Sequence, residues 1–163
     1  IPFLLQCFKR ILMDDDSFTL HVAGNYQTNP NPMIVMETTE LKHYIDHIVK
    51  ELGISKSIFF YGDIIDINGW MEDKTYIISS STREGMPVNI LEGMSKGLMP
   101  IVHNFPGSKL FYPKEFVYNT VEEFRSILFE EDVYPKIYRS FIQKEYSLSK
   151  TIQRIDMLFS DIS

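Results

Sequence analysis

The sequence has few of the features that mark disulfide-bonded, metal-binding or membrane-spanning proteins. Its 163 residues include one cysteine, Cys7, so no disulfide can form within the chain. No Cys/His cluster has the spacing of a metal site, and we expect no metal. No apolar run approaches the roughly 18 residues that a membrane-spanning helix requires. These absences favour a protein of a reducing compartment, and we expect a cytoplasmic location.

Basic residues are also in the minority, with 16 Lys and Arg against 22 Asp and Glu, a net charge of −6. Binding to nucleic acid needs a basic surface, so we expect no nucleic acid as a main partner. A negative net charge is still compatible with local basic patches on the surface. The composition, 44% hydrophobic and 23% charged, is that of an ordinary globular protein. The length suits one domain, and we expect residues 1–163 to form a single one.

Short apolar strands alternate with amphipathic helices along the chain. We predict strands at residues 18–23, 57–61, 76–79, 99–103 and 116–118. We predict helices near residues 1–12, 41–52, 87–96, 120–129, 134–145 and 149–162, with a short turn near 68–72. Such βα units predict an α/β fold, a Rossmann-like parallel sheet flanked by helices. Ligands bind such sheets beyond the carboxyl ends of the strands, which points to the loops that follow.

Two glutamates, Glu84 and Glu92, stand at the start of one predicted helix. In one continuous helix they would be about 12 Å apart along the axis and roughly 80° apart around it, too far for one small ligand. Pro87, however, is favoured in the first turn of a helix, and Gly85 allows the chain to turn before it. Glu84 is therefore predicted in a loop and Glu92 within the helix.

The free amides of Val88 and Asn89 then form a site for an anion such as a diphosphate. Serines at the preceding strand end, Ser81 among them, could add donors at the rim. Carboxylates on either side could accept hydrogen bonds from sugar hydroxyls. Spacing alone nevertheless favours a simpler interpretation, in which both glutamates are solvated acids stabilised by the helix dipole.

A longer pattern surrounds the two glutamates. Its parts are Ser79 to Ser81, Glu84-Gly85-Met86-Pro87, Glu92-Gly93-Met94, Gly97, Pro100-Ile101-Val102 and Gly107. The run from Tyr76 to Gly107 resembles the donor-binding domain of glycosyltransferase family 4, retaining enzymes with the two-domain GT-B fold. Gly93 stands where the family commonly has Ala, a change worth about 1 kcal/mol of helix propensity. The resemblance implies the C-terminal half of a GT-B enzyme.

The resemblance also implies a role for each matching position. Glu84 would orient the transferred sugar as the catalytic glutamate, and Glu92 would hold the ribose hydroxyls of the nucleotide. The donor would be a UDP-, GDP- or ADP-sugar, without a further cofactor. The other residues implied to contact this donor are Gly85, Met86, Pro87, Val88, Asn89, Ser81, Gly24, Asn25, Gly62 and Asp63. Of these, Gly62 and Asp63 would lie near the base, and Gly24 and Asn25 near the phosphates or sugar.

The family pattern extends beyond this chain, which opens on Ile1 without an initiator Met. The first strand of the domain, the Arg and Lys on the diphosphate, and the N-terminal acceptor-binding domain would all precede it. We therefore expect a fragment, inactive alone, of an enzyme that transfers sugar to a saccharide or lipid-linked acceptor. That enzyme would serve polysaccharide or glycolipid synthesis, touching the inner membrane face through its missing domain. A non-catalytic binding module, and a nucleotide-sugar epimerase or hydrolase, remain alternatives.

Overall fold

The computed structural model of the chain describes residues 1–24 and 35–160, and for residues 35–39 it describes the backbone alone. The strands are β1 (Leu20–Ala23), β2 (Ile58–Gly62), β3 (Tyr76–Ser79), β4 (Met99–His103) and β5 (Val117–Tyr118). The helices are α1 (Pro2–Leu12), α2 (Val35–Glu51), α3 (Ile67–Trp70), α4 (Val88–Lys96), α5 (Ser108–Phe111), α6 (Val121–Glu130), α7 (Pro135–Tyr146) and α8 (Leu148–Ser160). A 3-10 turn (Lys114–Phe116) precedes β5. The alternation of strands and helices confirms the predicted α/β class.

The chain divides into two compact units. The first comprises Ile1–Trp70 and Tyr118–Phe129, and the second Met71–Val117 and Glu130–Ser163. In the first unit β1 pairs with β2 in parallel. In the second β3 pairs with β4 in parallel, and β4 lies between β3 and β5. Parallel pairing is confirmed, and the expectation of a single domain stays a prediction.

The apolar stripe of α1 supplies much of the first unit's core. Leu5, Cys7 and Ile11 are fully buried. Burial raises the pKa of the Cys7 thiol to about 12, so this cysteine remains protonated and packs as a small hydrophobic residue. In the sheet of the same unit, the buried Leu20 pairs with the buried Ile58. The apolar residues predicted at helical spacing in residues 1–12 therefore form the buried face of α1.

Helix ends follow the local signals in the sequence. The Glu123 amide donates to Thr120 Oγ1 at 3.1 Å and the Thr120 amide donates to Glu123 Oε2 at 3.1 Å, so the predicted capping box is formed. Gly53 follows α2 with a φ of 67°, and Gly97 caps α4 with a φ of 94°. Only glycine adopts this left-handed backbone without strain, so both helices end where the glycines stand.

Some boundaries differ from the predictions. β1 begins at Leu20 rather than at residue 18, because the Phe18 ring packs edge-on against Phe129, at 5.7 Å between centroids, instead of extending the strand. The short helix α5 is an addition to the predicted elements, since four residues are too few to show a helical period. The predicted end of the last helix, near residue 162, lies outside the described residues. Within the described ranges, no helix is both long and apolar enough to cross a membrane.

Candidate functional site

The two glutamates lie on a loop and on the helix that follows it. The loop leaves β3 at Ser79 and ends at Pro87, which has a φ of −68° and a ψ of 100° and is the N-cap of α4. The helix begins at the next residue. Glu84 is in the loop, Glu92 is in the second turn of α4, and both side chains are exposed. A continuous helix through both residues is therefore excluded, as the prediction required.

The start of α4 presents free amides. Val88 and Asn89 are the first helical residues, so their amides have no acceptor within the helix. The next amide, that of Ile90, donates to the Pro87 carbonyl at 3.2 Å. No side chain caps this end. The exposed N-terminus can therefore bind an anion through two amides and the positive end of the helix dipole.

Tyr112 fastens this helix start, and the sequence pattern did not single it out. Its hydroxyl donates to the Pro87 carbonyl at 3.1 Å, and its ring is buried. Burial first, and then the nearby Tyr146 and the negative charge of Glu84, raise the pKa of the Tyr112 hydroxyl. The hydroxyl therefore stays protonated and remains a donor. Tyr112 lies directly after the short helix α5, far along the chain from Pro87, so no local signal announces the contact.

His103 tethers the other side of the same loop. It is the last residue of β4, and its Nδ1 lies 3.2 Å from the Ser81 carbonyl oxygen. Because a carbonyl only accepts, Nδ1 carries the proton in this bond. The Ser81 amide in turn donates to Ser79 Oγ at 3.4 Å. Ser81 is thus placed beside the carboxyl ends of β3 and β4, at the edge where it was predicted.

Two of the glycines in the motif, Gly85 and Gly93, differ from the expectation in their local structure. Gly85 does not have a left-handed φ, and a Cβ built on it meets nothing within 4 Å. The turn before α4 therefore does not depend on glycine. At Gly93 a Cβ would lie 2.7 Å from the Cβ of Ile77 on β3. The lack of a side chain at Gly93 therefore allows close packing of α4 on β3, an effect that adds to the predicted cost in helix propensity.

The other predicted contacts lie in the first unit. Gly24 directly follows β1, and Gly62 is the last residue of β2. The Gly24 amide donates to the Gly62 carbonyl at 2.7 Å. Their φ values are 100° and 67°. Asp63 follows with an exposed side chain. The structure brings these three residues together at one strand end, and Asn25 lies outside the described residues.

Residues 1–112 match the family described as Glycosyl transferases group 1. The chain therefore belongs to this family. No match was found among curated protein sequences.

Solved structures share the fold. A TarM mutant of S. aureus, in complex with Fondaparinux, alpha-GlcNAc-glycerol and UDP, superposes with a TM-score of 0.75 at 16% identity over 96% of this chain and 32% of TarM. A glycosyltransferase from Rickettsia africae gives 0.72 at 18% identity, over 98% and 43% of the two chains. Anabaena HepE, in complex with UDP and glucose, gives 0.68 at 14% identity, over 96% and 52%. The chain thus spans a third to a half of these proteins, and the predicted GT-B, Rossmann-like fold is confirmed.

Proposed function

We propose that this chain binds the donor, a nucleotide diphosphate sugar, for a retaining transferase of glycosyltransferase family 4. The observation that carries the proposal is the Glu84 loop leading into the uncapped N-terminus of α4, with an exposed Glu92 in the second turn. Membership of Glycosyl transferases group 1 supports transfer of a sugar as the reaction. This combination of two carboxylates around free amides suits a ligand that carries both hydroxyls and phosphates.

Each group then has a part in the chemistry. The carboxylate of Glu84 accepts hydrogen bonds from hydroxyls of the transferred sugar and orients it, and Glu92 holds the ribose. As the sugar becomes oxocarbenium-like, negative charge develops on the departing diphosphate. The amides of Val88 and Asn89 already point toward this charge and stabilise it without reorganising. We propose no metal or further cofactor, because the helix end supplies positive potential.

The remaining motif residues complete the proposed donor site. The open space beside Gly85 is not used by the chain's own packing, which suits a position where backbone approaches a sugar. Met86 and Pro87 follow with their backbone along the same edge. In the first unit, we assign Gly62 and Asp63 to the base and Gly24 to the phosphates or sugar.

The proposed substrates follow from the family resemblance and from related structures. TarM and HepE were solved with UDP, so a UDP-sugar is the first donor to test, before GDP- and ADP-sugars. The lipopolysaccharide outer core galactosyltransferase WaaB shares the fold, with a TM-score of 0.68 at 20% identity over 97% of this chain and 44% of WaaB. We propose a saccharide or lipid-linked acceptor, presented by an N-terminal domain at the inner face of a membrane.

A thermal-shift panel of UDP-, GDP- and ADP-sugars on the full-length protein tests the donor assignment. One nucleotide class should raise the unfolding midpoint by about 2 °C or more at a concentration of about 100 times Kd, where binding adds about 2.7 kcal/mol to stability. Radiolabelled donor with saccharide and lipid-linked acceptors then tests transfer. Absence of a shift with every donor contradicts the proposal. Turnover of donor without an acceptor would instead indicate an epimerase or hydrolase.

Tyr112→Phe tests whether the fastening of α4 positions the donor site. Loss of the hydroxyl should cost about 1 kcal/mol of stability, and it should raise the KM for donor severalfold. Tyr138→Phe is the matched control, because Tyr138 is a buried tyrosine of the same unit whose hydroxyl donates to the Asp132 carbonyl at 3.2 Å. Equal changes in donor KM in both variants would reduce Tyr112 to a purely structural role.

A further inference from the structure

A cavity of about 700 Å³ lies within the second unit, and one residue of the Glu84 loop contributes to its lining. Met86 of that loop lines one side, and Thr151 and Arg154 of α8 line another. The volume is that of a site for a ligand of a few rings. Met86 is also assigned to the donor, whereas Glu92, Val88 and Asn89 do not line the cavity, so it does not coincide with the contacts proposed for the ribose and the diphosphate.

The walls of the cavity combine aromatic rings with cations. The aromatic side chains are Phe111, Tyr112, Phe141 and Tyr146. Two of these residues are joined directly, because the Tyr146 hydroxyl donates to the Phe111 carbonyl at 3.0 Å. Rigid aromatic faces offer apolar surface to the C–H faces of sugar rings at low cost in conformational entropy.

The cavity is basic although the chain is acidic. Its charged lining residues are Lys109, Lys114, Arg154 and Glu145. Arg154 is paired with Glu145 at 3.0 Å. Lys109 and Lys114 form no salt bridge within the described part of the chain, so two positive charges remain available to a ligand. In a protein of net charge −6, this local excess of positive charge favours an anion.

We propose that this cavity binds a saccharide acceptor that carries negative charge, as phosphate or carboxylate groups. This inference rests on the proposed function, because Met86, which lines the cavity, lies two residues after the glutamate assigned to the transferred sugar. The aromatic wall contacts the sugar rings of the acceptor. Lys109 and Lys114 bind its anionic groups and hold the acceptor beside the donor sugar.

The test compares acceptor-like probes of equal length that differ in charge. Binding of three probes is measured on the full-length protein. They are chitopentaose, which is neutral, pentagalacturonate, which carries carboxylates, and a pentamer of glycerol phosphate, which carries phosphates. Saturating nucleoside diphosphate is present to occupy the helix N-terminus. We expect one of the two anionic probes to bind at least about tenfold more tightly than chitopentaose, with an affinity that falls as salt is raised.

The double variant Lys109→Gln/Lys114→Gln should weaken binding of that anionic probe about tenfold, without changing binding of the nucleoside diphosphate. Lys136→Gln is the control, since Lys136 is exposed on α7 and does not line the cavity. Equal effects of the control and the double variant would overturn the proposal. So would preferred binding of chitopentaose, or of phosphatidylglycerol vesicles over both anionic saccharides. Binding of the nucleoside diphosphate in these experiments shows separately whether the donor assignment holds.

Discussion

Glu92→Ala is expected to weaken binding of a nucleoside diphosphate about 100-fold, as measured by calorimetry on the full-length protein. Hydrogen bonds between a carboxylate and ribose hydroxyls are charge-assisted, and each contributes about 1.5–3 kcal/mol. The Glu92 side chain is exposed and forms no salt bridge with a described residue. Alanine is also the best helix former, so the variant should remain folded. The loss should therefore appear in affinity and leave stability unchanged.

A second variant separates the two glutamates. Glu84→Ala should weaken binding of the complete nucleotide sugar and leave binding of the free nucleoside diphosphate unchanged, because only Glu84 is assigned to the sugar. Glu51→Ala, at the exposed end of α2, controls for the loss of one acidic charge. Unchanged affinity in Glu92→Ala, or equal losses in all three variants, would contradict the assigned roles.

Local signals predicted most of the fold. β3 and β4 have the predicted bounds, because β3 is a short apolar run between Thr75 and Ser80, and β4 follows soon after Gly97 and ends before Asn104. The ends of α4 follow from Pro87, which provides no backbone amide, and from Gly97, which tolerates a left-handed backbone. The capping box at Thr120 is complete within four residues. Features that depend on neighbours in sequence were therefore predictable.

Contacts between distant parts of the chain were not predictable in the same way. The bond from Tyr112 to the Pro87 carbonyl spans 25 residues, and the cavity is assembled from α5, α7, α8 and the loop at Met86. No spacing rule relates these segments. Prediction of the roles of Glu84 and Glu92 was limited for another reason. An exposed glutamate is compatible both with a solvated acid and with a sugar ligand. There the longer motif favours the sugar ligand, and the binding measurements on Glu84→Ala and Glu92→Ala test that assignment.

Gly93→Ala is expected to destabilise the protein, although alanine favours helices. The new methyl group would lie 2.7 Å from the Ile77 Cβ and 2.8 Å from its Cγ1 and Cγ2. Overpacking of this kind costs about 1–3 kcal/mol, and the gain in helix propensity returns at most about 1 kcal/mol. A net loss of about 1–2 kcal/mol should appear in urea unfolding, and Gly93→Val should lose more.

Gly85→Ala is the matched control, since the same methyl group there meets nothing within 4 Å and the backbone is not left-handed. Its stability should be unchanged or raised by less than about 1 kcal/mol. Binding of the nucleotide sugar should show the opposite order, because the added methyl group enters the space proposed for the sugar. Gly85→Ala should lose affinity, whereas Gly93→Ala should keep it in the folded protein. If Gly93→Ala were as stable as the natural protein, α4 would not approach β3 as closely as the structure shows.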